Sequence, residues 1–174
     1  MIVAALRPLA VVALVGLLSS IDGCLQTGVP STPLQPGQPA ASAEGTGVVT
    51  EIVDGDTLRL EVDGAELRVR LVGIDTPEVY PDVECFGPEA EDALAALAPP
   101  GSTLSYAYDQ DPRDQYDREL LYLFTSDGTF INYELVANGY AEALVVRPND
   151  LYYDDFLVAE RQAQADGLGQ WGQC

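Results

Sequence analysis

Five short β-rich runs, tight Asp-Gly turns joining the first three, and a helix signal after the third predict a β-barrel with helices. In this α+β architecture a five-stranded OB-fold barrel carries about three α-helices on its outside. The first run covers 47–53 and the second 57–62, separated by Asp54-Gly55-Asp56. Asp63-Gly64 leads into a third run, 66–74, and three strands joined in this way form a meander. Within it Leu67, Val69 and Leu71 alternate with Arg68 and Arg70, the two-residue period of a half-buried strand. A polar loop follows, and Gly87-Pro88-Glu89 opens a helix that stops at Pro99-Pro100-Gly101. Strands are expected at 103–108 and 119–124. Residues 130–138 have helical spacing with Gly139 behind them. Residues 149–166 read as the last helix, with acidic residues in its first turns and Gly167 as its stop.

The two ends stand outside this domain. Residues 1–23 carry Arg7, an apolar run over 9–18, and then small and polar residues up to Gly23-Cys24. About ten apolar residues are too few to span a bilayer as a helix, so the segment reads as an export signal. Ile21-Asp22-Gly23-Cys24 resembles a lipobox, in which Cys24 is acylated and anchors the chain to the membrane; Asp22 is atypical there. Cleavage after Ala41-Ser42-Ala43, leaving a soluble secreted protein, is the alternative. Residues 24–45 are rich in Pro, Gly, Ser, Thr, Ala and Gln and bury too little to order themselves, so they read as a flexible tether. Residues 46–174 remain as one domain of ordinary size. If Cys24 carries lipid, Cys85 and Cys174 are left as a candidate disulfide in an oxidising compartment, with two free thiols as the alternative. Their loop of about 90 residues would contribute roughly 4–5 kcal/mol on the chain-entropy account.

Composition removes whole chemistries. The 174 residues include no His and no Lys, and all eight basic residues are Arg. A Ser-His-Asp triad, a His-ligated zinc, a Schiff-base lysine and a phosphate-loop lysine are therefore excluded. The apolar fraction of 47% is that of a globular domain. With 28 acidic residues against 8 basic ones, the net charge of −20 attracts cations and repels polyanions. Adaptation to salt or to solubility is the plainer account of such a surface, and a specific affinity for calcium is the alternative.

Three polar stretches carry candidate chemistry. Asp54-Gly55-Asp56-Thr57, taken alone, is a turn. The stretch from Arg70 to Glu78 places an Arg on a strand and, five residues on, two carboxylates around Thr76-Pro77. The third, Asp114-Gln115-Tyr116-Asp117-Arg118, precedes the fifth strand. Asp56, Asp75 and the Thr76 carbonyl are hard oxygen ligands of the kind Ca²⁺ accepts, with water completing the set. Clustered carboxylates raise one another's pKa unless a cation lies between them. Arg70 and Arg118 offer permanent planar charges suited to a phosphodiester and its more highly charged transition state. Glu78 is the spare carboxylate, able to orient or deprotonate water.

Read together, these residues resemble the staphylococcal nuclease, or thermonuclease, family. The likeness runs from about Val48 to Trp171. It takes in V-D-G-D-T, R-L-V-G-I-D-T-P-E, F-G-P-E-A, Y-D-R, E-L-V-A-N-G-Y-A and the closing G-x-W. The resemblance implies an OB-fold and calcium-dependent hydrolysis of DNA and RNA that leaves 3′-phosphate ends. It implies that Asp56, Asp75 and Thr76 are calcium ligands, that Arg70 and Arg118 bind phosphate, and that Glu78 is the catalytic glutamate. Tyr116 matches a tyrosine that contacts the substrate's terminal phosphate. Cys85 and Cys174 are similar to positions in exported bacterial relatives that end in W-G-x-C.

Departures from the pattern bear on substrate binding. The family lysine before that tyrosine is Gln115, and the glycine after it is Asp117. Two tyrosines that flank the nucleotide correspond to Leu144 and Val146, ahead of Arg147-Pro148-Asn149. A lysine-rich loop is shorter and carries Asp82 and Glu84. A stacked base is typically worth about 1–3 kcal/mol, so its loss predicts at least tenfold weaker binding of single-stranded DNA or RNA. The expectation is a monomeric, lipid-anchored, Ca²⁺-dependent nuclease with a weakened groove. The alternative is a catalytically weak or inactive module of the same fold that binds nucleic acid or a basic partner.

Overall fold

The computed structural model describes residues 42–174. The expected export signal, Cys24 and the tether up to residue 41 lie outside the described residues. The described elements, in chain order, are β1 (Gly45–Ile52), β2 (Thr57–Val62), β3 (Ala65–Leu71), β4 (Ile74–Asp75) and α1 (Gly87–Leu97). They continue with β5 (Thr103–Arg113), β6 (Glu119–Phe124), α2 (Ile131–Ala137), β7 (Glu142–Ala143), α3 (Tyr153–Asp166) and α4 (Gln170–Gln173).

Strands β1, β2, β3, β6 and β5 close into a barrel in that order. All pairings are antiparallel except β3 with β6, which run parallel. The five-stranded barrel with helices is thus the architecture found. Leu58, Leu60, Val69, Leu71, Leu104, Leu121 and Leu123 are buried, and the aromatic residues Tyr122, Phe130, Tyr152 and Phe156 pack edge to face or tilted beside them. Burying these side chains removes apolar area from water, the main favourable contribution to folding.

One turn sets the register that matters for function. Asp63 and Gly64 both have positive φ, 52° and 81°, the condition for a two-residue hairpin that matches strand twist. Each residue of β2 then has one fixed partner on β3, and Thr57 pairs with Arg70. The third strand is shorter than expected. It ends at Leu71, because Gly73 turns to a φ of 85° and its Cα faces the Phe156 ring, where a Cβ would lie 2.6 Å from the ring edge. Ile74 and Asp75 instead pair with Ala143 and Glu142.

Two further boundaries differ from the sequence reading. Strand β5 continues to Arg113, beyond the expected end at 108, through an irregularity that re-pairs Arg113 with Glu119. The last helix starts at Tyr153 rather than at 149. Asn149 is consumed elsewhere: its side chain accepts the Asp111 N–H at 2.8 Å and donates to the Asp111 carbonyl at 2.9 Å. Helix α2 is joined to the barrel by buried Asn132. Its amide accepts the Leu123 N–H and donates to the carbonyls of Val72 and Leu121, at 3.0, 2.9 and 3.3 Å. Cys85 and Cys174 form a disulfide, with Cα atoms 6.0 Å apart, that ties the C-terminal turn to the loop before α1.

Candidate active site

The site begins at the β1–β2 turn. Asp54 accepts the Asp56 N–H at 3.0 Å, and the Thr57 carbonyl receives the N–H groups of Val53 and Asp54. This turn folds down onto the end of β3, where the Asp56 carbonyl accepts the Leu71 N–H at 2.8 Å. Gly55 makes the approach possible, since a Cβ there would lie 2.8 Å from Thr76 Oγ1 and 2.9 Å from Ala90 Cβ. The Asp56 carboxylate is buried as a result. One oxygen accepts the Thr57 hydroxyl at 3.1 Å; the other accepts the Thr76 N–H at 3.1 Å and is ion-paired with Arg70 Nη1. Arg70 Nη2 reaches Asp75 at 2.5 Å, so one guanidinium bridges two carboxylates from different elements.

The cluster is short of positive charge. Burial pushes the Asp56 carboxyl up to about 7, Arg70 opposes the shift, and Asp54 and Asp75 add to it. Glu78, three residues beyond Asp75, is raised by partial burial and then by Asp54, with Arg70 again opposing. One arginine does not neutralise Asp54, Asp56, Asp75 and Glu78 together. The carboxylates of Asp56 and Asp75 are hard oxygen donors at a place where more positive charge lowers the energy, a chemistry that fits a hard divalent cation. Among the described residues no three carboxylate, thiol or imidazole groups are placed to hold a metal ion by themselves. Water and substrate would therefore supply a large part of any coordination shell.

Arg70 also lines a cleft of about 230 Å³. Arg118, Tyr116, Gln115, Leu144 and Val146 line the same cleft, and residues 71–74 contribute to its wall. Arg118 is held by Asp114, which accepts its Nε–H at 2.7 Å and also its backbone N–H and that of Tyr116. Burial works to raise the Asp114 carboxyl, but these hydrogen bonds outweigh it and hold it below the usual carboxylate range. The Arg118 guanidinium lies 5.6 Å from the Tyr116 ring centroid, within cation–π distance. Two planar cations thus line one cleft, Arg70 held by Asp56 and Asp75 and Arg118 by Asp114.

The sequence–family comparison accords with this arrangement. Residues 68–173 match the model of the staphylococcal nuclease homologue family. The chain belongs to that family. It is 35% identical over 127 residues to the thermonuclease of Staphylococcus intermedius, covering 71% of this chain and 74% of that protein. The thermonuclease of Staphylococcus hyicus is also 35% identical, over 124 residues, 70% of this chain and 72% of its own. Endonuclease YhcR of Bacillus subtilis (strain 168) is 34% identical over 151 residues, which are 80% of this chain but 12% of that much longer protein.

Within this nuclease-family fold, Asp56, Arg70, Asp75 and Thr76 are in direct contact, and Glu78 lies within their electrostatic reach. Arg118 and Tyr116 join them across the cleft that Arg70 shares. Leu144 and Val146 line it as well. Sequence reasoning assigned no role to Asp54 and Asp114, each of which holds a site residue through hydrogen bonds. The signal was present: an Asp two residues before the N–H it captures is a side-chain turn motif, and it occurs at 54–56 and at 114–116. No comparable signal marks Asn149, whose partner lies 38 positions away.

Proposed function

We propose that this protein is an exported, Ca²⁺-dependent nuclease that hydrolyses phosphodiester bonds of DNA or RNA, preferably single-stranded, and leaves 3′-phosphate ends. It acts as a monomer anchored to the membrane by lipid on Cys24. The observation that carries this reading is Arg70, which bridges Asp56 and Asp75 and also lines the cleft it shares with Arg118. The thermonuclease and endonuclease names of its relatives favour the same reaction.

Asp56, Asp75 and the Thr76 carbonyl would hold the calcium, which would supply positive charge beside the phosphodiester and the attacking water. Arg70 and Arg118 bind the phosphate and stabilise the extra negative charge of the transition state, where a planar fork is worth more than in the ground state. Glu78, with its raised proton affinity, orients or deprotonates the water that attacks phosphorus. The phosphorus–O5′ bond then breaks, and the leaving O5′ takes up a proton from solvent, leaving phosphate on the 3′ side and a 5′-hydroxyl. Tyr116 contacts the terminal phosphate of the substrate.

The test is cleavage of single-stranded DNA and RNA by the purified protein in Ca²⁺, in Mg²⁺ and in chelator, with Glu78→Gln alongside. Cleavage that requires Ca²⁺ and falls at least about 100-fold in Glu78→Gln supports the assignment. The aliphatic Leu144 and Val146 in the cleft favour a second reading, a weak or inactive module that binds nucleic acid or a basic partner. Oligonucleotide binding with no cleavage, at high salt to screen the −20 charge, would establish that reading instead. For the anchor, Cys24→Ser should move the protein from the membrane fraction to the soluble one; unchanged partitioning refutes it.

A further inference from the structure

The loop that carries Glu78 is closed on itself in an uncommon way. Glu84 takes both backbone groups of Glu78: its carboxylate accepts the Glu78 N–H at 3.0 Å, and its own N–H donates to the Glu78 carbonyl at 2.8 Å. Gly87, the first residue of α1, packs against that carbonyl, and a Cβ there would lie 2.5 Å from the oxygen. The Glu84 carbonyl accepts the Gly87 N–H at 3.1 Å, fixing Glu84 to the helix start. Residues 79–83 are thereby pinched off at their base, with Tyr80 and Val83 exposed on them.

The base of this pinch has a covalent anchor. Cys85, next to Glu84, is joined to Cys174. The C-terminal turn is itself fixed, because Gln170 N–H donates to the Gly139 carbonyl at 3.0 Å and Gly139 and Gly169 pack backbone to backbone. Phe86, the residue after Cys85, stacks on Tyr140 with ring centroids 5.5 Å apart. A continuous path therefore runs from the end of α2 through the disulfide and Glu84 to the backbone of Glu78. Cys85, Cys174 and Glu84 also line one cavity of about 300 Å³ together with Asp75 and Thr76.

We propose that Glu84, anchored by the Cys85–Cys174 disulfide, is the positioning residue for Glu78, so that turnover depends on the oxidised state of that cysteine pair. The proposal rests on the reading of Glu78 as the group that acts on water. An otherwise exposed loop samples many conformations, and a misplacement of about 1 Å can cost roughly 100-fold in rate. The oxidised clamp removes that freedom at the two backbone atoms of Glu78. Reduction by a small dithiol breaks the Sγ–Sγ bond, adds two electrons and two protons to give two thiols, and converts the dithiol to its own disulfide. Glu84 then loses its fixed neighbour.

Two readouts test this on the full chain. The first is amide hydrogen exchange of the segment 76–84, read by mass spectrometry in the oxidised protein, the dithiol-treated protein, Glu84→Ala and Glu84→Gln. Exchange should quicken at least about tenfold on reduction and in Glu84→Ala, while Glu84→Gln, which keeps an oxygen acceptor, stays near the oxidised rate. The second is kcat and KM on single-stranded DNA. Glu84→Ala and reduction should each lower kcat about tenfold or more with KM nearly unchanged, and together should lower it no further. Glu84→Gln should recover most of the kcat lost in Glu84→Ala. Unchanged exchange overturns the clamp, whatever the activity. Quickened exchange with unchanged kcat, or additive losses in the combination, overturns its positioning of Glu78. Absence of all turnover in the oxidised protein refutes the nuclease reading and positioning for catalysis with it, while exchange still decides whether the clamp exists.

Discussion

Replacing Arg70 by Ala separates two roles of one side chain. Its guanidinium faces Asp56 with side-chain exposures of 13% and 8%, so both charges sit largely out of water. At an effective dielectric of about 20, unit charges ~4 Å apart interact by about 4 kcal/mol. Deleting one partner of such a buried pair costs about 3–5 kcal/mol above pH 7, where the remaining carboxylate is left charged and uncompensated, and less below it, where Asp56 takes up a proton. Asp75 is 55% exposed, and its share is only about 0–1 kcal/mol. Against a domain stability of roughly 5–15 kcal/mol, Arg70→Ala should fold but melt about 10–20 °C lower in chelator. Turnover, measured at a temperature where the variant is folded, should fall about 100- to 1000-fold through lost transition-state stabilisation. Adding Asp56→Asn to Arg70→Ala removes the orphaned charge and should restore much of the melting temperature, but none of the activity. Circular-dichroism melts and single-turnover cleavage read the two effects. Turnover within tenfold of wild type, or an unchanged melting temperature, would refute the role of Arg70 on the corresponding side.

Three other outcomes follow from the same geometry. Leu144→Tyr combined with Val146→Tyr should tighten single-stranded DNA binding about tenfold or more by restoring stacking surface at the cleft, read by fluorescence anisotropy; equal affinity would mean bases do not lie there. Because the folded-state pKa of Asp56 is raised to about 7, the folded protein binds more protons than the unfolded chain between about pH 4 and 7. Its contribution is thus fully present below the unfolded value and lost as the pH rises through the folded one, so urea stability in chelator should decline over that range. Asp56→Asn should flatten the decline, and a slope identical to wild type would contradict the burial argument. Asn132→Leu strands the Leu123 N–H and removes the donor to the carbonyls of Val72 and Leu121, and should lower stability by about 2–4 kcal/mol in urea titration. A loss under about 0.5 kcal/mol would mean the barrel–helix junction relaxes to satisfy them.

Much of the barrel was legible because its strands are local patterns. The alternation of Leu67, Val69 and Leu71 with two arginines assigns a face to each residue, and Asp63-Gly64 demands one hairpin type. That turn even fixes the pairing of Thr57 with Arg70, which sets Asp56 beside Arg70 before any tertiary contact is considered. Where local pattern and tertiary demand conflicted, the pattern misled. Residues 149–152 have the composition of a helix start, yet the Asn149 side chain closes a pairing with Asp111 and the helix waits until Tyr153. Residues 72–74 continue an apolar run, yet the Phe156 ring and Gly73 break the strand.

The sequence by itself therefore determined the inventory: no histidine, no lysine, arginines and carboxylates as the available charged groups, and one hairpin register, that of β2 with β3, written in a two-residue turn. Residue type and short-range backbone preference act within a few positions, so they can be read in one dimension. Only the tertiary structure decided the electrostatics. Gly55 lets one turn settle against Thr76, which buries Asp56, and burial rather than identity is what raises that carboxyl and leaves the cluster wanting positive charge. Likewise Cys174 lies 89 positions from Cys85, and the packing that joins them fixes the loop carrying Glu78. Desolvation and long-range contact depend on what the whole chain excludes from water, and no single segment encodes that alone.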